Sequence, residues 1–273
     1  MAAIAKYINP EIGRGDLTDE QWKKLEPLLP PQKPKTGRPG QYHRQVINGI
    51  LWILRTGAPW RDLPPCYGVH STVISPILSM AKSRNLGRTL GKTANDRRFG
   101  GKDRLSCPHG RQYSNSSAST RSRGKRGQEN QALGRSVGGF STKIHIRAEG
   151  YGKPMVFALT SGERHDTIGF DDLFKGGKVK RIGRGRPKSR FRYFLGDKGY
   201  SSQAIREKLR RQRITPIIPR KSKEKRRERF NRGLYRERNR VERLINRLKQ
   251  FRRIATRYEK YAHNYLAMLA NTK

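Results

Sequence analysis

Four residues in the last quarter of the chain have types and a spacing that could do chemistry. Tyr235, Arg238, Glu242 and Lys249 follow the pattern Y-x2-R-x3-E-x6-K. On one continuous helix they fall at roughly 0°, −60°, −20° and −40°, a narrow stripe. The stripe carries a single carboxylate among cations, with an aromatic ring at one end. Leu234, Val241, Leu244, Leu248 and Phe251 lie opposite and form an apolar face suited to packing on a core. Standing alone, Glu242 would read as a surface carboxylate on a salt-bridged helix. A lone acid on a basic stripe also suits a metal-dependent site that handles phosphodiesters.

A second acid has a matching context. The short apolar run 191–196 reads as a strand and ends at Asp197. Open α/β sheets place ligands outside the carboxyl ends of their strands. Gly196 and Gly199 flank Asp197-Lys198 and let backbone approach a ligand closely. Asp197 and Glu242 could share a divalent cation, because Mg²⁺ (or Mn²⁺) takes hard oxygen ligands from one or two carboxylates plus substrate phosphates. Two such ions about 4 Å apart would activate a water or a 3′-hydroxyl and steady the leaving oxygen. His165-Asp166 has two readings: a pair at the mouth of this site, or a loop whose Asp166 caps the next helix.

The elements that must position these residues follow from periodicity. Thr18 with Gln21 forms a capping box that opens a helix, and Pro30-Pro31 stops it. A second helix is predicted over 43–55, then one short element over 71–80. The block 1–67 reads as a small helical domain, either DNA-binding or merely packed on the rest. Between 82 and 126, Ser, Arg, Gly and Lys dominate, and no strand or helix is predicted. Strands follow at 140–147 and 155–160, joined by the turn Gly150-Tyr151-Gly152. A short helix over 166–174, the strand ending at Asp197, a helix to about 211, a strand at 214–218 and the Tyr235 helix complete an α/β layer with a mixed sheet. Arg184-Gly185-Arg186-Pro187 reads as a solvated loop that touches DNA non-specifically.

Composition narrows the partner. The 273 residues hold 62 Lys+Arg against 21 Asp+Glu, a net charge of +41. Such a charge repels itself and calls for a polyanion, and nucleic acid is the natural one. A basic RNA-coating protein is the alternative; it would need little catalytic apparatus. Cys66 and Cys107 are too few for a disulfide framework or a Cys-based zinc site. No run is long and apolar enough for a membrane span, and the N-terminus lacks the shape of a signal peptide. A cytoplasmic, nucleoid-associated protein is expected.

At the Tyr235 set the sequence resembles insertion-sequence transposases of the DDE class. Asp197-Lys198-Gly199-Tyr200 resembles their second-aspartate motif. The stretches 17–68, 131–166 and 241–265 are similar to the IS-five-type branch. The resemblance implies an RNase H-like α/β catalytic domain over 134–273 behind the N-terminal helical DNA-binding domain 1–67. It implies Mg²⁺ (or Mn²⁺), and cleavage and strand transfer at terminal inverted repeats and target DNA by a homodimer. Asp197 and Glu242 would be the second and third acids and the metal ligands. Tyr235, Arg238 and Lys249 would hold element-end phosphates.

The sequence departs from that pattern in one place. The first acid should end a strand upstream of 140, but 106–116 has no aspartate and no β-like run. The segment 68–133 therefore reads as degraded or disordered. A shifted reading frame over about 69–125 would account for the abrupt loss and recovery of family-like sequence. A site with two acids should bind metal weakly and cleave little or nothing while DNA binding persists. A non-catalytic DNA-binding remnant is the second reading. The apolar helix that ends at 273 is expected to continue.

Overall fold

The computed structural model describes residues 13, 15–32, 40–82, 112–116, 131–136, 139–175, 191–222, 224 and 230–272. The loop at 184–187 lies outside them. Helix α1, Asp19–Leu25, opens at the predicted capping box, with Thr18 Oγ1 accepting from the Gln21 amide and Gln21 Oε1 from the Thr18 amide. It tightens into a 3-10 turn, Glu26–Leu28, before the prolines. Helix α2, His43–Thr56, buries Val46, Ile50, Ile53 and Leu54 and ends on Gly57 at φ +74°, a left-handed cap that glycine adopts without a Cβ clash. The element read at 71–80 is a full helix, α3, His70–Lys82.

The main sheet is built on β3, Gly139–Ala148. It pairs antiparallel with β2, Gly134–Ser136, and with β4, Pro154–Ser161, in the predicted hairpin, with Ile144 opposite Leu159. It also pairs antiparallel with β1, Gln112–Ser116, Tyr113 opposite Ile144. No strand was predicted there. Main-chain pairing along the edge of β3 places β1, and side-chain propensity, the only signal a single sequence offers, is weak in Gln-Tyr-Ser-Asn-Ser.

Both faces of β3 are covered. Ile144 and Ile146 point into one core with Ile53 and Leu54 of α2 and Ile77 of α3. Lys143, His145 and Arg147 point into a second layer. That layer holds α4, Phe170–Lys175, and the parallel pair β5, Tyr193–Leu195, and β6, Thr215–Ile217. Helix α5, Gln203–Arg211, joins β5 to β6, the crossover that parallel strands require. Val156 and Ala158 of β4 pack there with Phe194, Ile205 and Leu209.

The C-terminal helices α6, Arg232–Arg236, α7, Asn239–Lys249, α8, Arg252–Ala255, and α9, Ala262–Ala270, close the molecule. Leu248, Ile254, Tyr265 and Met268 join the same core as α2 and α3. A buried cation stitches the two regions. Arg253 donates to Ala58 O at 2.7 Å, pairs with Glu259 at 2.6 Å and stacks against Trp60 and Tyr258. Arg257, also buried, donates to Gln131 O and Lys260 O and to Thr142 on β3. These two arginines of the basic tract therefore serve the fold rather than a polyanion. Among the described residues, no helix is long and apolar enough to cross a membrane.

Candidate functional site

The site begins at the carboxyl end of β5. The Gly196 amide continues the pairing by donating to Ile217 O at 3.1 Å. A Cβ on Gly196 would sit 2.8 Å from the Phe194 ring, so the chain can leave the strand this closely only as glycine. Asp197 follows, half-buried and extended. Its Oδ1 accepts from the Lys198 amide at 2.7 Å and so caps a 3-10 turn, Lys198–Tyr200.

Glu242 lies in the first turn of α7. The single helix predicted to carry Tyr235, Arg238, Glu242 and Lys249 is interrupted. Tyr235 belongs to α6, and Glu237-Arg238 form a tightened turn in which the Arg238 amide bonds Tyr235 O and the Val241 amide bonds Arg238 O, both at 3.0 Å. The cause is packing. Leu234 and Tyr235 rest on Leu195 and Ile217 of the β5–β6 pair, whereas Val241, Leu244 and Leu248 rest on the helical core. One straight helix cannot serve both surfaces.

Arg238 stands at this bend. Its Nη2 is 2.5 Å from Glu242 Oε1, and its Nη1 is 4.0 Å from Asp197 Oδ1. The guanidinium lies 5.1 Å from the centre of the Tyr235 ring, and Phe230 meets that ring edge-on. The structure thus brings Tyr235, Arg238, Asp197 and Glu242 together. Lys249 is exposed at the far end of α7, about 10 Å along the axis from Glu242.

A buried polar layer supports the Asp197 turn, and sequence reading missed it. His145 of β3 has no exposed surface; Nδ1 is 2.5 Å from the Tyr200 hydroxyl and Nε2 is 2.8 Å from Thr160 Oγ1. Burial, with Lys143 adding to it, lowers its pKa from the ordinary 6.5 to about 4. Burial likewise raises the Tyr200 phenol well above its usual value. Lys143 Nζ donates to Arg164 O and to Asp166 Oδ1. Asp166 in turn packs on Gly199, where an added Cβ would lie 2.1 Å from Oδ2. The cap of the 166–169 turn is His165, which accepts from the Thr167 amide, so the reading of Asp166 as a helix cap is corrected. Arg147 donates to Leu173 O at 2.8 Å and faces the Phe191 ring. The signal was present in the alternation of Lys143, His145 and Arg147, but polar residues at a period of two ordinarily mark a solvated face.

Among the described residues, no three His, Cys, Asp or Glu side chains come together as a metal site. Asp197 and Glu242 are hard oxygen donors of the kind Mg²⁺ takes, but the Arg238 guanidinium holds the place between them. In this arrangement the donor set does not fit a divalent cation.

Residues 115–272 match the family model described as "Transposase DDE domain", and residues 17–89 match "Putative transposase of IS4/5 family". The two matches leave residues 90–114 uncovered. The chain is 30% identical over 197 residues to the "Putative transposase for insertion sequence element IS402" of Burkholderia cepacia, covering 72% of this chain and 88% of the relative. It is 46% identical over 61 residues to the "Insertion element IS402 uncharacterized 16.2 kDa protein" of the same organism, covering 21% of this chain and 42% of that one. No solved structure matches.

Proposed function

We propose, from the premise that this chain belongs to the DDE transposases of the IS4/5 type, that it is the DNA transposase of an insertion sequence. Its reaction class is cleavage and strand transfer of phosphodiesters at the terminal inverted repeats. The observation that carries this reading is the meeting of Asp197, at the end of β5, with Glu242 on α7 around one arginine. Asp197 and Glu242 act as the second and third acids. Tyr235, Arg238 and Lys249 grip element-end phosphates, the guanidinium by paired hydrogen bonds and the ammonium as a point charge.

The antiparallel β1–β3–β4 ladder followed by a parallel β5–β6 pair supports an RNase H-like catalytic domain over 134–273, with β1 as its additional first strand. Residues 1–67, extended by α3, form the DNA-reading helical unit, and a homodimer joins two element ends. The family's chemistry uses Mg²⁺ or Mn²⁺. The acid pair, with Arg238 between its members, does not accommodate that ion as it stands.

The second reading, a DNA-binding remnant without chemistry, has its own observation: among the described residues no third carboxylate joins Asp197 and Glu242. This copy is accordingly impaired in cleavage. A shifted reading frame over about 69–125 would account for the first acid not being visible in the sequence, and retranslating the gene in its other two frames tests it. An RNA-coating protein gives no reason for the Asp197–Arg238–Glu242 arrangement. The deciding experiment incubates purified protein with element-end duplex and Mg²⁺. Binding without nicking supports the impaired transposase, nicking that Asp197→Ala abolishes shows an active transposase instead, and no binding to DNA sinks both readings.

A further inference from the structure

We propose that His165 and Lys221 form a clamp for one DNA backbone phosphate beside the turn that Asp197 caps, separate from Tyr235, Arg238 and Lys249. The inference rests on the reading of this chain as a DNA-binding transposase and adds a contact for that DNA.

Topology brings the two residues together. Asp197 follows β5, Lys221 follows β6 and His165 follows β4. Strands β5 and β6 run parallel, so Asp197 and Lys221 leave them on the same side, where open α/β sheets place ligands. Both loops are braced on the 198–200 turn. Asp166, next to His165, packs on Gly199 and is held by Lys143. Glu224, whose amide donates to Lys221 O, accepts from Ser201 Oγ at 2.7 Å, directly after that turn.

The contact between the two side chains is chemically incomplete. Nε2 of His165 is 3.4 Å from Nζ of Lys221. Nδ1 of the same ring accepts from the Thr167 amide, the bond that caps the 166–169 turn. A neutral imidazole has a single acceptor nitrogen, so Nε2 then carries the proton, and an ammonium has donors only. Two donors therefore face each other. An oxygen that accepts from both completes the arrangement, and a protonated ring would present the same two donors.

Charge identifies the owner of that oxygen. The neighbouring carboxylates are engaged, Asp166 by Lys143 and Glu224 by Ser201 and Arg206. Arg164 and Lys198 are exposed on the same two loops as His165 and Asp197. A phosphodiester offers unesterified oxygens that take charge-assisted hydrogen bonds. For a chain of net charge +41, nucleic acid is the polyanion that supplies them. Such a contact sets the path of a strand past Asp197 and reads no base.

The test measures binding of the full-length chain to a random-sequence duplex by fluorescence anisotropy over a salt series. Lys221→Ala should weaken binding and lower the salt slope by about one phosphate contact. His165→Asn keeps an oxygen that can cap the turn but removes the Nε2 donor. It should weaken binding by about tenfold at an unchanged slope. In the Lys221→Ala background it should cost much less, because the two groups hold one phosphate. Variants that bind as the unmodified protein does overturn the proposal. So does a Lys221→Ala effect that is simply additive with His165→Asn, since independent charges would behave that way. Should His165→Asn fail to fold, nitrogen NMR of the unmodified protein decides: a His165 Nε2 resonance that duplex leaves unmoved overturns the clamp. Duplex binding by the unmodified protein in the same series tests the underlying reading separately; without it that reading falls, and the clamp falls with it.

Discussion

The Tyr200 hydroxyl lies 2.5 Å from Nδ1 of His145, and neither side chain has exposed surface. A neutral imidazole satisfies this site in either tautomer, because one ring nitrogen accepts from its hydroxyl partner while the other donates to its own. The pair fastens the 198–200 turn, and so Asp197, to the middle of the main sheet.

That arrangement predicts an acid sensitivity. The groups facing His145 are Lys143, Tyr200 and Thr160, with Asp166 and Asp197 beyond Tyr200. Its folded pKa of about 4 lies below the ordinary 6.5, so the unfolded chain binds the extra proton first. The stabilisation is full above pH 6.5 and is lost as pH falls toward 4, up to about 3 kcal/mol. Urea melts at pH 7 and pH 4.5 should show a smaller acid-induced loss in His145→Gln than in the unmodified protein. Equal losses would assign the acid sensitivity elsewhere.

Gly199 is constrained by contact with Asp166 rather than by backbone conformation. Gly199→Ala would drive a methyl group into a carboxylate held by Lys143, and should cost about 1–3 kcal/mol. Asp166→Ala removes the obstacle. The double variant should therefore be more stable than the sum of the single effects allows, as read by a double-mutant cycle in chemical denaturation. Simple additivity would show that the two residues do not meet.

Arg253 and Glu259 form a pair whose side chains are 9% and 6% exposed. Removing only the cation strands a buried carboxylate, so Arg253→Ala should cost about 3–5 kcal/mol. Glu259→Gln in the same background should recover part of it. Thermal melting of the three variants checks the order; a double variant no better than Arg253→Ala would contradict it.

Phosphate contacts show themselves through salt. Arg238→Ala and Lys249→Ala should each weaken duplex binding uniformly across sequences, and each should lower the slope of log K against log salt by about one. Fluorescence anisotropy over a salt series reads this. A loss confined to one sequence would instead make the residue a reader of bases.

Much of the scaffold was legible because local signals agreed with the final packing. The Thr18–Gln21 box, Gly57 past α2 and the β3–β4 hairpin each combine a turn or cap residue with the right apolar period. The place of Asp197 at a strand end was legible because a strand, two glycines and an acid fall in sequence. The bend at Glu237-Arg238 was not legible, since it arises only when neighbouring residues must rest on two different cores. Nor was the support layer, because Lys143, His145 and Arg147 look like a wet strand face until α4 and the 198–200 turn cover them. Strand β1 depends on a partner distant in sequence, and its own residues announce nothing.

The core shared by α2, α3, α8 and α9 bears on how such a gene can be read. A product that stopped before α8 would leave Ile53, Leu54 and Ile77 without Ile254, Tyr265 and Met268 to cover them. An exposed apolar patch of that kind favours aggregation and degradation over accumulation. Early termination ahead of α8 is therefore expected to yield a product that is lost rather than a soluble N-terminal fragment that accumulates.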